Sequence, residues 1–151
     1  MEYIQADKTG ECIFCSALKE NNDRETHILY RGETSFIILN RYPYNNGHLM
    51  VVPYQHVASP EELNEETSLE LMLLVSKSLG LLREAMAPEG FNIGANMGQV
   101  AGAGVADHFH VHIVPRWAGD TNFMPIIAST RTIPELLNET YDKLRAVLQK
   151  E

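Results

Sequence analysis

Hydrophobic positions in this chain fall into short runs bounded by turn residues and two longer stretches with helical spacing. Ile28-Leu29-Tyr30 and Ser35-Phe36-Ile37-Ile38-Leu39-Asn40, joined by the polar Arg31-Gly32-Glu33-Thr34, predict a β-hairpin. A polar loop, residues 41–47, leads to a third strand, His48-Leu49-Met50-Val51-Val52, ended by Pro53, which has no N–H to give a ladder. Ser59, Pro60 and Glu62 form an S-P-x-E start for a long helix, with Leu71, Leu74, Val75, Leu82 and Met86 on one face and Pro88 and Gly90 closing it. Met50, Met72 and Met86 are expected in the core. A strand over Phe91–Asn96, a glycine-rich loop over 98–104 and a strand over His108–Val114 stopped by Pro115 follow. Thr132, Pro134 and Glu135 cap a last helix whose apolar face is Leu137, Tyr141, Leu144 and Leu148. This order predicts an α+β fold, an antiparallel sheet with one long central helix and a C-terminal helix.

Composition narrows the picture. A chain of 151 residues with 44% hydrophobic and 21% charged residues fits one domain, 1–151. No apolar run approaches the roughly 20 residues a membrane span needs. The first residues lack a basic region followed by an apolar stretch, so a cytoplasmic location is expected. A net charge of −8 disfavours nucleic acid and anionic lipid as partners, yet leaves room for a small phosphorylated substrate held by local donors. The cysteines form Cys12-x-x-Cys15, a metal-binding or redox spacing in a cytosolic chain.

The chemistry concentrates in His108-Phe109-His110-Val111-His112. On a strand these imidazoles share one face, about 7 Å from one to the next, while Phe109, Val111 and Ile113 anchor the other face. Imidazole is neutral and nucleophilic near pH 7 and can also donate a proton, so a central histidine can attack phosphorus while a neighbour serves the leaving oxygen. Glycines in the 98–104 loop let backbone N–H groups approach phosphate. H-x-H on a strand is also a good metal-ligand pair, so the spacing alone leaves a catalytic zinc site open.

His108-Phe109-His110-Val111-His112-Ile113-Val114 resembles the H-φ-H-φ-H-φ-φ signature of the histidine triad superfamily of nucleotidyl hydrolases and transferases. The likeness extends through Cys12–Cys15, Leu39-Asn40, Tyr44–Leu49, Val52–His56 and Phe91-Asn92. The tail from Pro115 to Pro125 is similar to the branch holding fragile-histidine-triad hydrolases and bacterial diadenosine tetraphosphate phosphorylases. The resemblance implies a covalent adenylyl-histidine at His110, leaving-group assistance and α-phosphate contact from His112, and a supporting His48. It places Asn40 near the nucleoside and Asn96 near the phosphates. Diadenosine tetraphosphate is the favoured substrate, cleaved by phosphorolysis or hydrolysis. Hydrolysis of adenosine phosphoramidates or adenylyl-lysine, or a low-turnover nucleotide-binding module, are the alternatives.

One stretch departs from the pattern. Relatives carry G-Q-[ST] before the triad, whereas this chain has Gly102-Ala103-Gly104-Val105-Ala106-Asp107, which leaves backbone amides and Gln99 as candidate phosphate donors. The resemblance also implies a structural zinc on Cys12, Cys15, His56 and His108, and a homodimer. A divalent cation such as Mg²⁺ accompanying the substrate is compatible with this chemistry. Arg41, Arg116 and Arg131 are candidate phosphate clamps, Trp117 a stacking or interface residue, and His27 carries no assigned role.

Overall fold

The computed structural model describes residues 10–120 and 136–150. Strands β1 (Ile28–Arg31), β2 (Ser35–Leu39), β3 (Leu49–Pro53), β4 (Gly90–Gly94) and β5 (Val111–Arg116) form one sheet in the order β1-β2-β3-β5-β4, antiparallel throughout. Helices α1 (Ile13–Lys19) and α2 (Asp23–Thr26) precede the hairpin, α3 (Glu65–Met86) connects β3 to β4, and α4 (Leu137–Leu148) lies near the C-terminus. The α+β expectation holds.

Every residue of β2 and β3 is buried, because both faces of the sheet are covered. That explains their continuous apolar runs in place of strict alternation. On one face Leu29, Ile37, Leu39, Leu49, Val51, Phe109 and Ile113 pack against Leu71, Leu74, Val75, Leu81 and Leu82 of α3 and Tyr141, Leu144 and Val147 of α4. Fully buried leucines such as Leu82 and Leu144 each contribute about 1.5–3 kcal/mol. The other face is thinner. There Ile28, Phe36, Ile38, Met50 and Val52 meet Phe14 and Ala17 of α1.

Several boundaries move. Ser59 precedes only a single 3₁₀ turn, Pro60–Glu62, because Leu63 returns to extended backbone. The α-helix starts at Glu65, where the Asn64 side chain accepts the Thr67 N–H at 2.8 Å and so satisfies a first-turn donor. Met72 is 61% exposed on the outer face of α3, not in the core, whereas Met50 is buried. The glycine-rich loop contains a 3₁₀ turn, Gln99–Ala101, and β4 ends at Gly94. The proposed cap at Thr132, Pro134 and Glu135 lies outside the described residues.

β3 does end at Pro53, as expected, whereas β5 runs through Pro115 to Arg116. Pro53 pairs with Ser35 and Pro115 with Phe91. A residue's C=O and nitrogen point the same way from a strand, and these carbonyls accept from side chains, Pro53 from His108 Nε2 at 2.9 Å and Pro115 from Asn45 Nδ2 at 3.2 Å. Each ring nitrogen thus faces a side with no strand bond to make, so its missing hydrogen costs nothing.

Candidate active site

The three histidines occupy the α1 side of the sheet, as their alternation predicts, but only His112 sits in the ladder, opposite Met50. His108 and His110 precede β5, where Phe109 N–H donates to the Val57 carbonyl at 2.6 Å. The rings are closer than the strand rise suggests. His110 and His112 stand edge to face with centroids 4.8 Å apart, and His112 lies 5.1 Å from His48. Phe14 of α1 packs against both His108 and His110, at 5.3 and 5.1 Å.

Backbone groups dictate which nitrogen of each ring carries the proton. The His108 carbonyl can only accept, so His110 donates Nδ1–H to it at 2.8 Å and keeps a bare lone pair on Nε2. The Tyr44 N–H can only donate, and it meets His48 Nδ1 at 3.1 Å. The proton of His48 therefore resides on Nε2 and donates to His112 Nδ1 at 2.9 Å. His112 in turn carries its own proton on Nε2. One ring presents a nucleophilic lone pair and its neighbour presents a donor. Burial keeps both neutral: it pushes His110 below the usual imidazole range despite the opposing bond to the His108 carbonyl, and burial with the adjacent His110 pushes His112 down to about 4.

Asn40 is buried and lies against the His48 ring, with Nδ2 3.4 Å from each ring nitrogen, while its Oδ1 accepts Tyr42 N–H at 2.9 Å. It also lines a cleft of about 210 Å³ between α1 and the sheet, walled by Ile13, Phe14, Ala17, Ile38 and Met50, with Arg41 and Tyr42 among the other lining residues. Phe14 and Met50 join this cleft to the imidazole row. Asn96 donates to the Gly102 carbonyl at 3.2 Å and so organises the glycine-rich loop, and Gln99 is exposed in the 3₁₀ turn. Contacts place neither of them against the imidazoles. Arg116 is engaged by Asp120, at 2.6 and 2.7 Å, and by Asn92. Arg131 lies outside the described residues. His27 Nε2–H donates to Asn138 Oδ1 at 3.0 Å.

His108 and His56 serve a separate cluster. His108 donates Nε2–H to Pro53, which leaves Nδ1 bare and directed at Cys12 Sγ (3.3 Å), Cys15 Sγ (3.7 Å) and His56 Nδ1 (3.2 Å). The four ligand atoms lie within 4.8 Å of one another. Two thiols and two imidazoles are a tetrahedral zinc donor set, whose ligand atoms in a closed site stand about 3.6 Å apart. The carbonyl behind His108 is the kind of partner that orients a metal-bound imidazole. The residues present fit a structural zinc.

Sequence reasoning missed Phe14, Met50 and Tyr44 as parts of this site, and Asn45 and Asp120 as supports of the loop before His48. Phe14 was visible only as the residue inside Cys12-x-x-Cys15, and nothing local marks a helical phenylalanine as the wall of a distant histidine.

Comparison with known proteins agrees with this geometry. The HIT domain pattern matches residues 21–119. The chain is similar to the AP-4-A phosphorylase of Mycobacterium tuberculosis, 46% identical over 119 residues, covering 79% of this chain and 61% of that one. It thus spans about three fifths of that relative's length. An adenosine 5′-monophosphoramidase of Schizosaccharomyces pombe is 34% identical over 70% of this chain and 74% of its own. Among solved structures, a zinc-bound histidine triad family protein from Mycobacterium smegmatis superposes with a TM-score of 0.72 at 28% identity, covering 92% of this chain and 94% of that one. A hypothetical histidine triad nucleotide-binding protein from Sulfolobus tokodaii gives 0.70 at 32%, covering 92% and 90%. The imidazole row is a histidine triad, and the chain belongs to the HIT family.

Proposed function

We propose that this protein is a nucleotide hydrolase or transferase that cleaves diadenosine polyphosphates, diadenosine tetraphosphate foremost, through an adenylyl-histidine. One observation carries the reading: His110 has its proton committed to a backbone carbonyl and its Nε2 lone pair bare, beside the Nε2–H of His112 and next to the cleft lined by Asn40. In the first step the His110 Nε2–P bond forms and the bond from the α-phosphorus to the bridging oxygen breaks, as His112 Nε2–H donates to that oxygen. Water or phosphate then attacks the same phosphorus and the N–P bond breaks, giving AMP or ADP. The cleft seats the first adenosine, with Asn40 and the apolar walls holding it.

The resemblance to the mycobacterial phosphorylase favours the dinucleotide, and that to the monophosphoramidase supports a second reading, P–N bond hydrolysis by the same row. Incubation with diadenosine tetraphosphate, with and without phosphate, separates them: ADP plus ATP formed only with phosphate supports phosphorolysis. Mass spectrometry after brief exposure to substrate should find AMP on His110. A His110→Ala variant that keeps its rate would sink the covalent route.

Zinc on Cys12, Cys15, His56 and His108 serves the fold in this proposal, tying α1 to the catalytic segment. A second copy of the chain covers the exposed Leu69, Met72 and Leu73 of α3 and Ile93 of the edge strand β4, forming a homodimer. No helix among the described residues is long and apolar enough to cross a membrane.

A further inference from the structure

Asp120 and Asn45 touch neither the cleft nor the triad, yet they anchor the loop that holds His48. The Asp120 carboxylate accepts from Asn45 Nδ2 at 2.8 Å, from Arg116 Nε and Nη2 at 2.6 and 2.7 Å, and from Trp117 N–H at 3.1 Å. Arg116 is the last residue of β5, the strand that carries His112, and its Nη1 reaches Asn92 Oδ1 on β4 at 2.9 Å. Asn45 donates to the Pro115 carbonyl as well, and its own carbonyl accepts His48 N–H at 3.2 Å. The residue before it supplies the N–H that meets His48 Nδ1. At the base of the loop Asn40 N–H donates to the His48 carbonyl at 2.9 Å.

We propose that Asp120, acting through Asn45, is a positioning residue for the leaving-group proton: it ties the 41–47 loop to the end of β5 so that the Tyr44 N–H stays on His48 and the proton of His112 stays on Nε2. This rests on the reading of His112 as donor to the leaving oxygen. A neutral imidazole carries one proton on one of two nitrogens, and the two tautomers differ little in intrinsic energy, so the partners decide. While Tyr44 N–H occupies Nδ1 of His48, the Nε2–H of that ring faces His112 Nδ1, and His112 can only offer Nε2–H to substrate. If the loop drifts, His48 is free to carry its proton on Nδ1. Its bare Nε2 then calls for a proton on His112 Nδ1, and His112 Nε2 turns a lone pair toward the leaving oxygen, where it repels instead of donating.

The network lies along a chain of bonds rather than in one contact, and the four bonds to the Asp120 carboxylate are partly buried. Asp120 keeps only 11% of its side chain exposed despite its charge, which the four donors around it explain. Arg116 is thereby committed to this carboxylate.

The test uses Asn45→Ala and Asp120→Asn, two variants that cut the chain at different links, with circular dichroism to confirm folding. On diadenosine tetraphosphate kcat should fall by about a hundred-fold, the lower range for a lost acid, with KM within about three-fold of wild type. On the p-nitrophenyl ester of AMP, whose leaving phenolate needs little proton, the loss should be under about five-fold. Nitrogen-15 NMR of the histidines should find Nε2–H on His112 in the wild type and a growing Nδ1–H population in the variants. Equal losses on both substrates, or an unchanged His112 tautomer in a folded variant, would overturn the proposal. So would Nδ1–H on His48 in the wild type, which needs no variant to fold. A wild type that cleaves neither substrate would refute the functional reading, while the NMR result would still decide the tautomer relay.

Discussion

Phe14→Ala tests how far the thin α1 layer governs the active site. Phe14 is 1% exposed, clusters with Ile28, Phe36, Ile38, Met50 and Val52, and presents its ring to His108 and His110 at tilts of 70° and 54°. Truncating a buried phenylalanine costs about 3–5 kcal/mol, as transfer energy plus cavity. The adjoining cleft gives neighbours room to relax, which places this site near the low end, about 3 kcal/mol. In a chain of this size that corresponds to a Tm lower by about 6–12 °C. A native stability of about 5–15 kcal/mol leaves the variant folded at 25 °C, so kinetics can be measured on it. Catalysis should suffer separately. With its wall gone the His110 ring can swing, and a displacement of about 1 Å costs about a hundred-fold in rate. Phe14→Leu keeps most of the volume and should retain most of both properties. Urea unfolding followed by circular dichroism gives the first quantity, and single-turnover cleavage of diadenosine tetraphosphate the second. An alanine variant within about 1 kcal/mol of wild type, or one that turns over at the wild-type rate, would refute the argument that α1 braces the triad.

Three further outcomes are expected. His112, held near 4 against an unfolded value of about 6.5, binds a proton more readily in the unfolded chain, so stability is full above pH 6.5 and falls as pH drops toward 4. The ceiling is about 3 kcal/mol, and partial exposure of the ring brings it to about 1–2 kcal/mol; a urea midpoint unchanged between pH 7 and 4.5 would contradict a neutral, buried row. Protein purified without chelator should hold one zinc per chain, and stripping it, or Cys15→Ser, should lower Tm by about 5–10 °C while far-ultraviolet dichroism changes little, because only α1 and residues near His56 and His108 depend on the ligands; metal content well under one per chain would end this reading. Gly47→Ala should destabilise by about 2–3 kcal/mol, since φ is +77° and an added Cβ would stand 2.7 Å from Met86 Sδ and 3.0 Å from Leu82; a scan showing an unchanged Tm would count against the loop's tight seat on α3.

Much of the fold was legible because local rules and tertiary packing agree there. The hairpin 28–39, the third strand and the helical spacing of Leu71, Leu74, Val75 and Leu82 all reappear with their apolar positions buried. The helix start failed where two cap signals compete within six residues, Ser59 with Pro60 and Asn64 with Glu65, and packing chose the second. Pro115 misled for a related reason. A strand interruption matters only if a neighbouring strand needs the missing N–H, and that depends on where β3 and β5 begin and end relative to each other.

The sequence by itself determined that three imidazoles would share a face, because side chains alternate along any extended backbone, and it named the residues of the metal cluster through resemblance. The five-residue spacing does not distinguish the three histidines, and separate roles for them entered only through the resemblance. Only the tertiary structure decided which nitrogen of each ring is left to carry the proton. That is settled by the partners of each ring, two of them brought from far along the chain: Pro53 behind His108 and His48 with its loop behind His112, beside the His108 carbonyl behind His110. The lone pair on one ring and the proton on the next are consequences of packing, written nowhere in the five-residue motif.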